Sequence, residues 1–254
     1  MEQNSETARV QGIDVHAVNE DELVRIFVEW AQAKAPRRAY YVNVFAMNLA
    51  VGNSTFRDAL NRADLVFCDG YGVWLASRLL GTSLPSRMTP PDWIDRFLQE
   101  LSSKGKSVFL LGDEPGVAEK CASMMQSRHQ LPQPPAFHHG FFQFNGAEND
   151  EIVQMIRDSG ASVLLVGMGM PRQELWIEEN LEHLGVSLAI PVGALFRWYT
   201  HEDKRAPKWM TDHGMEWLAR LIRHPVRHFR RYVIGNPKFF VRILKQRFWP
   251  ISTR

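Results

Sequence analysis

Cysteine is scarce: the 254 residues contain two, Cys68 and Cys121. Two such cysteines build neither a disulfide framework nor a cysteine metal site, and they suit a reducing compartment. No apolar run reaches the ~18 residues that a bilayer-spanning helix needs. The opening segment MEQNSETARV is polar and has no apolar stretch of the signal-peptide kind, so the expected address is the cytoplasm. Internal repeats and low-complexity tracts are absent. None of the nine histidines sits in an H-E-x-x-H or C-x-x-C pattern, so no metal site is expected.

What is present is an ordinary globular composition, 45% hydrophobic and 23% charged, enough for a sizeable core. The net charge of +2 conceals an asymmetry. Residues 204–254 hold 4 Lys and 9 Arg against Asp212 and Glu216, a balance of 13 − 2 = +11, which leaves −9 for residues 1–203. The split divides the chain into an acidic body, 1–203, and a basic appendage, 204–254, that faces an anionic partner.

Within the body, five short apolar runs stand out: AYYVNV (39–44), DLVFCD (64–69), SVFLLG (107–112), SVLLVG (162–167) and VSLAIPVG (186–193). Helical periodicity separates them at 20–34, 91–104, 115–128 and 171–184. Continuously apolar strands alternating with helices predict an α/β fold, a largely parallel sheet covered on both faces. The proline-rich stretch HQLPQPPAFHHG (129–140) reads as a connection, a seam between two halves.

Ligands of such sheets bind beyond the carboxyl ends of the strands. Those ends carry Asn43, Asp69-Gly70, Gly112-Asp113, Gly167-Met168-Gly169 and Gly193. Glycines there let backbone approach a ligand, and a following helix start suits a phosphate. The pattern points to a phosphorylated ligand only weakly, because G-x-G at a strand end is common.

The candidate residues each admit two readings. Asp69 is either the cap of the next helix or a general base whose proton affinity is raised by apolar surroundings. Glu174 suits the helix dipole as a first-turn acid, a reading that fits Gln173 less well. Arg87 is a solvated loop residue or a phosphate clamp. Asp-x-Asp, the usual grip of a nucleotide-sugar enzyme on a divalent cation, does not occur, so a leaving diphosphate would need arginines or helix starts.

In the appendage, steps of roughly 100° place Trp217, Leu218, Leu221, Ile222, Val226, Phe229, Tyr232 and Val233 on one side. Arg220, Arg223, Arg227, Arg230 and Arg231 fall on the other, with a break at Pro225. Residues 236–250 repeat the theme. The segment is either a helix packing its apolar face on the body or an interfacial membrane element. No nucleic-acid motif accompanies the charge, so nucleic acid is not an expected partner.

Eight stretches taken together resemble the WecG/TagA/CpsF glycosyltransferases: NVFAMNLA, CDGYGVWLASRLLG, RMTPPDW, VFLLGDEPGVAEK, HHGFF, VGMGMPRQELWI, PVGALF and KRAPKWMTDHGMEWLARLIRHPVRHFRRY. The resemblance implies a Rossmann-like α/β domain with a C-terminal appendage. It implies inverting transfer without metal or other cofactor, from a UDP-sugar to a polyprenyl-diphosphate-linked acceptor at the cytoplasmic membrane face. Asp69 matches the family's proposed base. The expected donor and acceptor contacts are Tyr41, Asn43, Arg87, Asp92, Gly112, Gly167, Gly169, Gln173 and Glu174. Arg205, Arg220, Arg227 and Arg230 are the appendage residues expected at a diphosphate. A homo-oligomer is compatible with all of this. Tyr41 stands where many members have Thr, and Pro90 where the family favours Gly. Both departures bear on the sugar pocket, leaving glucose, galactose or a uronic acid open beside the N-acetylmannosamine of the best-known members. A nucleotide-sugar epimerase or dehydrogenase would share the sheet, but no Tyr-x-x-x-Lys occurs. A non-enzymatic adaptor would leave the polar strand ends unexplained.

Overall fold

The computed structural model describes residues 6–204 and 206–249, without the side chains of Lys208, Asp212 and Arg227. Among these residues eight strands follow one another as β1 (Thr7–Val10), β2 (Ile13–His16), β3 (Arg37–Val42), β4 (Leu65–Cys68), β5 (Val108–Gly112), β6 (Ala136–His138), β7 (Val163–Gly167) and β8 (Leu188–Pro191). The helices of the body are α1 (Glu20–Trp30), α2 (Val44–Gly52), α3 (Ser54–Arg62), α4 (Tyr71–Leu79), α5 (Pro90–Ser103), α6 (Val117–His129), α7 (Ala147–Asp158), α8 (Arg172–Asn180) and α9 (Leu195–Tyr199). The appendage continues with α10 (Lys208–Asp212), α11 (Glu216–Arg223), α12 (Pro225–Phe229), a π-helical turn (Arg230–Ile234) and α13 (Gly235–Phe248).

β3 to β8 form one parallel sheet in the order β4-β3-β8-β7-β5-β6. Alternate side chains feed two cores: Tyr40, Val42, Leu164 and Val166 join one, and Ala39, Tyr41, Val163 and Leu165 the other. Both faces are therefore covered, which is why these strands read as unbroken apolar runs. From β3 the chain steps outward to β4 on one side, and from β5 to β6 on the other, so the strand order switches near β3, β8 and β7. A ligand crevice is expected at the carboxyl ends there.

Two elements depart from expectation. The proline-rich connection contains the edge strand β6, whose three residues pair with β5 from Phe109 to Leu111. Prolines are tolerated there because they fall before a short edge strand. The β1–β2 hairpin precedes the sheet and turns through Gln11 and Gly12, both at positive φ.

The appendage is joined to the body. Phe239 and Ile243 of α13 are fully buried in the same core as Val42 and Trp176. Polar contacts fix its register. Asn48 Nδ2 donates to Gly235 O at 2.9 Å, the Gln11 N–H donates to Gln246 Oε1 at 2.9 Å, and Gln246 Nε2 donates to Arg9 O at 3.0 Å.

Candidate active site

The site begins with strand register. Val42 of β3 lies opposite Cys68 of β4, so the next residues, Asn43 and Asp69, emerge side by side at the sheet edge. The Asp69 N–H still donates to Val42 O at 2.9 Å. Asn43 caps α2: its Oδ1 accepts from the N–H groups of Phe45 and Ala46 at 3.0 and 3.1 Å. That leaves Nδ2 to donate to Asp69 Oδ2 at 2.9 Å. A cap bond in one helix thus aims an amide at the neighbouring strand's carboxylate. The cap of α4 falls to Gly70, at φ 91°, so the capping role open to Asp69 from sequence is not the one it takes.

Burial pushes the Asp69 carboxyl up to about 6. The Asn43 bond and the guanidinium groups of Arg220 and Arg231 hold it down, while the carboxylate of Glu216 pushes it further up. Three of these four influences come from the appendage. A carboxyl so placed changes charge near neutral pH, as a general base must.

Gln173 and Glu174 are fully buried, below the surface where ligand-reading side chains would be sought. Gln173 Oε1 accepts from the Gly169 N–H at 3.0 Å and its Nε2 donates to Glu174 Oε1 at 2.8 Å. Its side chain also acts on the Tyr41 hydroxyl. Gln173 therefore locks the turn after β7 and ties it to β3. Glu174 Oε2 is buried without a partner, and burial pushes its carboxyl up to about 7. Pro171 precedes α8 at its cap rather than as its first residue.

The strand-end glycines divide by cause. A Cβ on Gly112 would sit 2.4 Å from Gly167 O, and one on Gly167 would meet Gly193 O and Phe196 at 3.0 Å. Both are glycine because protein packs against them. Gly169, at φ 76°, has nothing within 4 Å of a built Cβ, so the turn's conformation rather than packing requires glycine there. Tyr41 is nearly buried, its hydroxyl 2.6 Å from where a Gly193 Cβ would lie.

Arg87 makes protein contacts. It donates to Asp92 Oδ2 at 3.0 Å and to Thr211 O, at the end of α10, at 3.3 Å. Asp92 also accepts from the Thr89 backbone and hydroxyl, both at 2.9 Å, as the capping box of α5. The pair binds the loop before α5 to the appendage, next to Tyr71, whose ring centre lies 5.8 Å from the Arg87 guanidinium.

Within the appendage, α11 and α12 are turned opposite to a simple surface helix. Arg220 Nη2 donates to Glu216 Oε1 at 2.7 Å and stacks 4.6 Å from the Trp198 ring, while Arg231 lies 4.4 Å from the ring of Phe45. Outside, Ile222 is 69% and Val226 93% exposed, with Phe229 and Val233 also open to solvent. Arg230 is exposed, and its neighbour Arg231 acts on Asp69. Neighbouring helical residues point roughly 100° apart, so one of the two turns toward Asp69 and the other toward solvent. Arg205 and the Arg227 side chain lie outside the described residues.

Glu216 and Arg231 were not singled out from sequence. The signal for Glu216 was its i, i+4 spacing to Arg220. Nothing in the sequence distinguishes Arg231 from Arg230, because the π turn has no local signature. Among the described residues no three of His, Cys, Asp and Glu converge as a metal site would require. No helix among them is long and apolar enough to cross a membrane.

The sequence model of the Glycosyl transferase WecG/TagA/CpsF family matches residues 8–253. The chain belongs to that family. As a WecG/TagA/CpsF member it is a glycosyltransferase, and the match takes in the appendage together with the strand-end site. Relatives include a Bacillus subtilis (strain 168) protein, 29% identical over 198 residues that cover 78% of this chain and 75% of the relative. A Staphylococcus aureus (strain NCTC 8325 / PS 47) protein is 26% identical over 226 residues, 87% of each chain. Both are named N-acetylglucosaminyldiphosphoundecaprenol N-acetyl-beta-D-mannosaminyltransferase.

Proposed function

We propose that this enzyme transfers a sugar from a UDP-sugar to a saccharide carried on a polyprenyl diphosphate, with inversion and without a metal. The observation that carries the reading is the Asn43–Asp69 pair at the strand mouth, beneath two appendage arginines. The names of the relatives support the acceptor class, a lipid-linked N-acetylglucosaminyl diphosphate.

In this reading Asp69, ionised above about pH 6, takes the proton of the acceptor hydroxyl. The hydroxyl oxygen bonds to the anomeric carbon from the face opposite UDP as the bond to the diphosphate oxygen breaks. Asn43 keeps the carboxylate aimed. Arg220 and Arg231 would neutralise negative charge on a diphosphate, a role fixed dipoles and charges perform without reorganisation. The open space beside Gly169 would let the donor approach the backbone there. Tyr41 stands where many members have Thr, so the donors to try are N-acetylmannosamine, glucose, galactose and a uronic acid.

Residues 1–203 serve as the catalytic body and 204–254 as the part that engages acceptor and membrane. The exposed Ile222, Val226 and Phe229, flanked by Arg223 and Arg230, form an apolar surface with a basic border. Such a surface suits an anionic bilayer, where each basic residue near the headgroups contributes about 1 kcal/mol. The enzyme would then sit peripherally on the inner face of the plasma membrane.

The test is UDP release from a panel of UDP-sugars with a polyprenyl-diphosphate-GlcNAc analogue, with and without EDTA. One donor turning over equally in EDTA supports the reading. Turnover abolished by EDTA and restored by a divalent cation contradicts its metal-free part, and no binding of any UDP-sugar contradicts the donor class.

A further inference from the structure

Among the described residues, Glu216 is the appendage carboxylate that acts on Asp69, and its position is built rather than incidental. Its Oε1 accepts from Arg220 Nη2 at 2.7 Å, and the two side chains are only 18% and 28% exposed. An exposed pair at this spacing would contribute little. Here the guanidinium is held on three sides: Glu216 one turn earlier in α11, the Trp198 ring of α9 at 4.6 Å, and the negative charge of Asp69 beyond. Trp217, next to Glu216, packs on Tyr232 with ring centres 6.0 Å apart, which joins the start of α11 to the π turn carrying Arg231.

We propose that Glu216 is a positioning residue of the transfer reaction: it fixes the Arg220 guanidinium between Trp198 and Asp69 and sets a second carboxylate beside that arginine. The inference rests on the Asp69 reading above.

The groups acting on Asp69 come from each element around it. They are Asn43 ahead of α2, Glu216 and Arg220 from α11, and Arg231 from the π turn; Tyr41 in β3 and Cys68 in β4 feel its charge in return. Asn43, Arg220 and Arg231 favour the carboxylate, and Glu216 disfavours it. Two arginines alone would drive the proton affinity down and weaken the base. Glu216 compensates while leaving both guanidinium groups charged for an anion. An acid in the first turn of α11 would also favour the helix dipole, and that plainer role predicts no effect on proton transfer.

The experiment compares the pH dependence of kcat for the full-length wild type, Glu216→Gln, Glu216→Asp and Glu216→Ala, with Asp69→Asn alongside. Glu216→Gln keeps an acceptor for Arg220 and loses the charge, so its acid limb is expected to move down by roughly half a pH unit or more. Glu216→Asp retains the charge and is expected to hold the limb near that of wild type. Glu216→Ala releases Arg220 and is expected to lower the plateau by roughly tenfold as well. Limbs of Glu216→Gln and wild type that superimpose overturn the proposal, and Glu216→Gln decides alone if the alanine variant does not fold. An Asp69→Asn enzyme with near-normal turnover overturns the base assignment itself, whatever the Glu216 variants do.

Discussion

Gly214 lies so close against Tyr71 that a Cβ added to it would stand 2.5 Å from the Tyr71 Cγ. Tyr71 opens α4, two residues after Asp69, and Gly214 precedes α11, so this contact seats the appendage on the catalytic strand end. Gly214 also has φ 72°, which costs an L-residue roughly 1–2 kcal/mol. Gly214→Ala is therefore expected to cut turnover at least tenfold while the body stays folded. Circular dichroism and UDP release together check this; unchanged turnover would mean the seating is not needed.

Arg230 and Arg231 are adjacent in sequence and opposite in placement. Arg231 stacks on Phe45 and acts on Asp69, and Arg230 is exposed. Arg231→Ala is expected to lower kcat/KM by roughly 10- to 1,000-fold with a soluble acceptor analogue, as loss of a transition-state charge partner does. Arg230→Ala is expected to stay within a few-fold on the same acceptor and to weaken liposome binding instead. Equal losses from both would contradict the register of the π turn.

Glu174 gives a stability prediction with a definite sign. Its carboxyl is raised from 4.5 to about 7 by burial. The fold therefore favours the protonated form, and that contribution is full below about pH 4.5 and lost as pH rises through about 7. Asp69, raised from 3.8 to about 6, acts in the same direction over a lower window. Wild type should lose stability between pH 5 and 8, and Glu174→Gln should remove on the order of 2 kcal/mol of that loss. Thermal unfolding at the two pH values reads the difference; identical slopes in both proteins would contradict a buried ionising Glu174.

The outward apolar face predicts surface binding. Val226→Glu and Phe229→Glu sit on α12 with their side chains exposed, so neither should disturb folding. Each is expected to reduce sedimentation with anionic vesicles several-fold, and raised salt should weaken the wild type too because the basic border is screened. Vesicle binding indifferent to both charges would remove the membrane role from this face.

Much of this was legible in the sequence, for physical reasons. The parallel sheet showed in apolar runs such as residues 163–167, because a strand covered on both faces needs no alternation. Asn43 and Asp69 were legible as strand-end residues, although their contact depends on the register of β3 and β4, which no local pattern encodes. The edge strand β6 was hidden among prolines, since three residues carry too little period. The glycines carried less than they suggested, since Gly112 and Gly167 are glycine at least because protein packs against them. Amphipathicity located the appendage helices but not which face turns inward. That depends on Trp198, Phe45 and Tyr71, which are distant in sequence and close in the fold.

The most direct test is turnover of Asp69→Asn beside wild type, with UDP-sugar binding measured on both. The account predicts retained donor binding and a loss of transfer of roughly 100- to 10,000-fold, the usual scale for removing a general base. Transfer at near wild-type rate by an Asp69→Asn enzyme that still binds donor would contradict it.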